Sequence, residues 1–221
     1  MKECRFDSLL QKYERNRVIR GLIQLIPFGI GSAIDVVVAK TVENIREERA
    51  KVFFDELAKD DTLLNESLLE SEDFLHCYFA TAKFALNSRR REKIKMFARL
   101  LKSSITEEGP QGVDEYEDFL AILDELGYRE LQALSILDDF WERFQNIIGW
   151  EWFKNKWDEF TNRLVNELNV PSGEVTPFMN RISRTGCYEI FTGTYTGHPG
   201  GFGKITPTYQ RLKGFIMQQS K

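Results

Sequence analysis

Two cap-and-proline signals bracket a strand-forming segment near the end of this chain, and they constrain its fold more than any other feature. Thr176-Pro177 and Thr206-Pro207 each set a hydroxyl that caps helices before a proline whose fixed φ suits the first helical turn. Between them a short helix carrying Phe178, Met179 and Ile182 is expected to end at Gly186, the residue type that closes helices in the left-handed conformation. Cys187 to Tyr195 is rich in strand formers, Thr196 to Gly201 is a turn-forming run, and Phe202 to Thr206 returns as a second strand. A final helix holds Tyr209, Leu212, Phe215 and Ile216. Helix, short helix, glycine, strand, tip, strand, helix is the order of a winged helix-turn-helix. Helices expected at 129–147 and 150–168 serve as its scaffold, because a lone hairpin is not stable in water.

Upstream the periodicity is helical throughout. Phe6, Leu9, Leu10, Tyr13, Val18 and Leu22 predict one helix over 6–26, broken at Ile26-Pro27-Phe28-Gly29-Ile30-Gly31. Ser32 caps a second helix to about Lys59, with Ile34, Val38, Val42, Ile45, Val52, Phe53 and Leu57 inward. Ser71 starts a third, with Phe74, Phe79, Phe84 and Leu86 on its buried side, and Ser88 is the cap candidate for a helix over 89–105. The Thr106–Gly112 run is the clearest loop, followed by a helix near 113–126. The fold class is therefore mostly α: a helical body with a C-terminal winged-helix-like unit containing one β-hairpin. The domain division falls in that loop, as 1–106 and 113–221.

With 42% apolar and 29% charged residues the chain has the balance of a folded globular protein rather than a disordered one. Its net charge of −4 hides an asymmetry. Residues 171–221 carry six basic and two acidic side chains, and the rest carries 24 and 32. An acidic body with a basic end points to an anionic partner for that end. Three scattered cysteines make neither a disulfide framework nor a zinc site, and two histidines cannot build a His-rich metal centre. Segment 1–20 lacks signal-peptide order, so the expected location is cytoplasmic.

Enzyme signatures are missing at the sequence level. No Gly-rich loop follows a strand and no G-x-S-x-G is present. His76 adjoins Cys77, but neighbours on a helix do not face each other, so they are not read as a dyad. The Trp150-Glu-Trp152…Trp157 run reads as core or interface. No catalytic residue, cofactor, metal or small-molecule substrate is inferred.

The candidate contact residues form two groups. In a winged helix the second helix of the turn lies in the major groove and the wing touches backbone, which singles out Asn180, Arg181 and Arg184 on the helix and His198 and Lys204 on the hairpin. These are few cations for a phosphate surface, so protein contact or intramolecular docking ranks ahead of DNA. The second group is Arg89, Arg90, Arg91 and Lys93. Arginines at a helix N-terminus oppose the macrodipole, so an anionic ligand or an acidic neighbour such as 43–48 or 115–124 is expected to offset them, the neighbour ranking first. A third surface is the apolar stretch Gly21–Ala39. It is nearly long enough to span a bilayer, but carries Pro27 mid-way and Asp35. A buried hairpin of helices explains it better, and membrane contact ranks last.

Three stretches together resemble a known group of sequences: Ile26-Pro-Phe-Gly-Ile-Gly-Ser-Ala-Ile34; Glu47-Glu-Arg49 with Phe53 and Phe54; and Arg89-Arg-Arg-Glu-Lys93 with Phe97-Ala-Arg-Leu-Leu101. The chain resembles an uncharacterised family of bacterial helical proteins with an apolar Pro/Gly elbow, an acidic aromatic helix before a basic one, and a winged-helix-like end. The resemblance implies an accessory or defence-island setting but carries no activity and no functional residue. The expectation is a non-enzymatic binding or regulatory protein that acts through protein–protein contacts, self-association included. A winged-helix DNA-binding regulator is the alternative, and a membrane-associated effector the second alternative.

Overall fold

Asn16 decides where the first regular packing begins. Its side chain accepts a hydrogen bond from the Ile19 N–H at 3.0 Å, capping a helix that the periodicity alone runs straight through. The single helix expected over 6–26 is therefore two, α1 (Asp7–Lys12) and α2 (Arg17–Gln24). In the computed structural model the described residues are 7–26, 36–59, 64–144, 150–191 and 202–217. The Pro27–Asp35 elbow and its cap Ser32 lie outside them. Among the described residues no helix is long and apolar enough to cross a membrane.

The described chain is mostly helical. It continues as α3 (Val36–Leu57), a 3-10 turn (Glu66–Glu70), α4 (Glu72–Asn87), α5 (Arg91–Ser103), α6 (Val113–Glu125), α7 (Tyr128–Phe144), α8 (Trp150–Leu168), a second 3-10 turn (Ser172–Glu174) and α9 (Val175–Ser183). The strands β1 (Tyr188–Ile190) and β2 (Gly203–Ile205) and the last helix, α10 (Pro207–Ile216), complete it. The chain divides into two compact units, one of Met1–Leu123 with Phe215–Lys221 and one of Asp124–Gly214. The loop at 106–112, where the sequence suggested the division, lies inside the first unit.

In the first unit α3, α4 and α5 pack on one another, and the 3-10 turn at Glu66–Glu70 packs on α2 and α4. Ser71 caps α4 as expected, accepting from the Phe74 N–H. Ser88, expected to cap α5, closes α4 instead, and α5 starts from Arg90 with no side-chain cap. The core is Ile19, Leu22, Phe53, Phe54, Leu57, Tyr78, Phe97, Leu100, Leu101, Tyr116 and Leu123, all at most 1% exposed. Two expected core residues face outward: Ile45 at 41% exposure and Phe79 at 38%. The buried face of α4 runs instead through Phe74, Cys77, Tyr78, Thr81, Ala82 and Ala85, rotated away from Phe79.

Charges tie this unit together. Glu56 on α3 has a side chain only 3% exposed and accepts from Arg99 Nε on α5 at 2.7 Å, with Lys59 Nζ at 2.8 Å. Arg99 also donates to the Ile216 carbonyl at 3.0 Å, satisfying an orphan acceptor at the end of α10. Phe215 stacks edge-on against Phe119 at 4.9 Å.

In the second unit α7 packs on α8 and β2, and α9 on α8 and β1. β1 and β2 pair antiparallel, with Tyr188 opposite Ile205, Glu189 opposite Lys204 and Ile190 opposite Gly203. Gly186 has φ +71°, the left-handed conformation expected of a residue that turns the chain out of α9. The Thr206 hydroxyl accepts from the Tyr209 N–H and Pro207 opens α10, as the cap-and-proline pattern predicts. The first such pattern is displaced: α9 begins at Val175, after a 3-10 turn, so Thr176 is not its cap. Phe160, Leu164, Met179, Ile182, Tyr188, Tyr209 and Leu212 fill the core, and Trp157 packs on Phe160 and Phe202 at 4.9 Å each.

Candidate functional site

The start of α7 gathers the residues that matter most in the second unit. Gly127 precedes the helix, and the Glu130 carboxylate three residues on reaches back to accept its N–H at 2.6 Å, half of a capping box. The other Glu130 oxygen accepts from Arg181 Nε on α9 at 2.7 Å. Glu130 is 4% exposed, so its charge is desolvated and held by two donors. Arg129, beside it, donates to the Asn169 carbonyl past the end of α8 at 3.0 Å. Arg129 and Arg181 both lie over the Phe178 ring, at 5.9 and 5.8 Å. The first turn of α7 thus clasps the end of α8 and the exposed side of α9.

A polar cleft of about 230 Å³ opens here, lined by Glu125, Gly127, Glu130, Arg181, Arg184 and Thr185. Arg184, the C-cap of α9, has its guanidinium 4.0 Å from Glu125, and both side chains are more than half exposed. That pair is weakly held, since exposed ion pairs are worth about 0–1 kcal/mol. Thr185 is turned to the backbone, donating to the Ile182 carbonyl and accepting from the Cys187 N–H. The cleft therefore presents two guanidinium groups already facing two carboxylates.

The remaining sequence candidates fall into place around this result. Asn180 is exposed on α9. Lys204 faces Glu189 across the hairpin, Nζ to carboxylate 3.3 Å, as their register requires. His198 lies outside the described residues. In the first unit Arg89, Arg90 and Arg91 are exposed, and the acidic neighbour expected to offset them is missing: among the described residues no carboxylate pairs with them. Lys93, half-buried one turn on, lies with its ammonium 5.7 Å from the Phe97 ring.

Residues read as chemically unpromising also find positions. His76 is exposed and bonds Glu117 at 2.7 Å, while Cys77, the next residue along α4, is buried. Burial, with Asp73 and Glu117 nearby, pushes the Cys77 thiol up to about 11, so it stays protonated at neutral pH. Burial likewise raises the thiol of Cys187 and the phenols of Tyr188 and Tyr209. Among the described residues no cluster of His, Cys, Asp or Glu is arranged to hold a metal. Sequence reasoning missed Glu130 and Glu125. The glycine at 127 with glutamate three residues on is a capping-box spacing, and it signalled the inward turn of Glu130. No protein family, curated protein or solved structure matches the chain.

Proposed function

We propose that this is a non-catalytic binding protein that works through protein–protein contacts. One observation carries the reading: the described basic residues that a DNA-reading end would need are already answered by carboxylates. Arg181 is bound to buried Glu130, Arg184 stands against Glu125, and Lys204 against Glu189. A phosphate surface needs cations free to displace counterions, and these three contribute little net positive charge. A buried carboxylate that orients an arginine, beside exposed carboxylates that offset its neighbours, suits selective contact with a protein instead.

A winged-helix DNA-binding regulator is the second reading. It is favoured by the order α7, α8, α9, β1, β2, α10 and by the exposure of Asn180 and Arg184 on α9. Anisotropy titration with random-sequence duplex DNA at about 0.05 M salt separates the two. The expected result is binding no tighter than about 10⁻⁴ M, the weak end of non-specific association, and unchanged by Arg184→Ala. A tight, salt-steep complex lost on Arg181→Ala with Arg184→Ala overturns the proposal.

A further inference from the structure

The exposed face of α4 reads, from its N-terminus, Glu72, His76, Phe79, Lys83, Asn87, with Asp73 beside the first. These positions recur every three or four residues and so form one stripe along the helix. The stripe is graded. Its start carries two acids, its middle the outward-facing Phe79, and its end Lys83 followed by Arg89 and Arg90 just past the helix. Glu72, Asp73, Lys83, Arg89 and Arg90 make no ion pair among the described residues. The Lys83 ammonium lies 5.9 Å from the ring of Phe84 on its own helix.

A stripe that is acidic at one end and basic at the other, with an aromatic between, complements an inverted copy of itself. A two-fold axis level with Thr81 and perpendicular to the helix sets residues in antiparallel register. Phe79 then faces Lys83 of the second copy, the acidic start of each α4 lies toward the Arg89–Arg90 segment that follows the other, and each contact occurs twice, as an isologous interface requires. At 1.5 Å rise per residue, Phe79 and Lys83 sit about 3 Å either side of that axis. The ammonium of one copy then reaches over the ring of the other.

We infer that the exposed face of α4, extended by Arg89 and Arg90, is a self-association surface that pairs two copies of this chain antiparallel. The inference rests on the protein-binding reading and names its partner. One helix face is a small interface, near the lower end of the range for specific contacts, so the dimer is weak and sensitive to salt.

Sedimentation velocity of the full chain from about 1 to about 200 µM, at about 0.05 and about 0.5 M salt, tests it. The expected result is a monomer–dimer equilibrium weakened at least about tenfold by the higher salt. Phe79→Lys sets lysine against Lys83 and weakens the dimer by a similar factor, about tenfold or more. Glu72→Lys with Asp73→Lys also weakens it, and adding Arg89→Glu with Arg90→Glu restores it to within about threefold, because reversing both ends recovers the complementarity. Glu72 and Asp73 also favour the start of α4, so Phe79→Lys, at mid-helix, is the arm independent of helix stability. A wild type that stays monomeric throughout overturns the inference. So does a dimer indifferent to Phe79→Lys, or a four-site swap that fails to recover. A monomer that binds poly-glutamate through Arg89–Arg91 overturns it too and assigns the basic end to an acidic partner. Each of these outcomes is distinct from tight DNA binding, which is the failure of the underlying reading.

Discussion

The hydroxyl of Tyr78 donates to the Leu22 carbonyl, whereas that of Tyr209, equally buried, has no hydrogen-bond partner among the described residues. Removing the oxygen therefore acts with opposite signs. Tyr78→Phe is expected to cost about 1 kcal/mol, and Tyr209→Phe to leave stability unchanged or raise it by about 1 kcal/mol. Urea unfolding of the two variants measures both, and equal destabilisation refutes the contrast. The same logic orders the substitutions at the α7 clasp. Arg181→Ala strands the Glu130 carboxylate, which is 4% exposed, and is expected to cost about 2 kcal/mol, well above a surface arginine. Glu130→Ala leaves a half-exposed arginine that water solvates, and loses mainly the cap, about 1 kcal/mol. Adding Glu130→Gln to Arg181→Ala removes the stranded charge and recovers part of the loss. An additive double variant sinks that account.

Among the elements, α3, α5 and the end of α10 share one buried acid, Glu56. Burial by itself raises its carboxyl, but the bonds from Lys59 and Arg99 prevail and hold it below the usual 4.5. A carboxylate whose folded pKa is depressed stabilises the fold above its unfolded pKa, and that stabilisation fades as pH falls through the folded value. Thermal melts are therefore expected to fall as pH drops below about 4.5. Glu56→Gln is expected to melt lower at neutral pH and to show a shallower acid limb. An acid limb as steep in the variant as in the wild type assigns it to other carboxylates. At this scale the sequence was readable wherever a short-range signal acts alone. Ser71, Gly186 and Thr206-Pro207 sit where their caps and turns were expected, because each is satisfied within a few residues of itself. The helix break at Tyr13–Asn16 and the reassignment of Ser88 were missed. At Asn16 a local side-chain bond competes with an apolar period that continues across it; at Ser88 the backbone N–H closes α4, and α5 starts two residues later from Arg90.

Across the whole molecule, periodicity by itself determined that the chain is mostly helical, that its one described sheet is the pair of strands after Gly186, and which side most helices bury. Those properties follow from spacing and from backbone preference, both carried by neighbouring residues. Tertiary structure alone decided three things that bear on function. It turned Phe79 outward, because the Phe74–Tyr78–Ala85 side of α4 fills the core and no single-helix moment separates two adjacent apolar faces. It gave Arg181 to Glu130, 51 residues away, and among the described residues it set no carboxylate against Arg89, Arg90 or Arg91. It also returned Phe215–Lys221 to the first unit, where Phe215 meets Phe119. Charge pairing depends on distance through space, and residue types in order along a chain do not contain that distance.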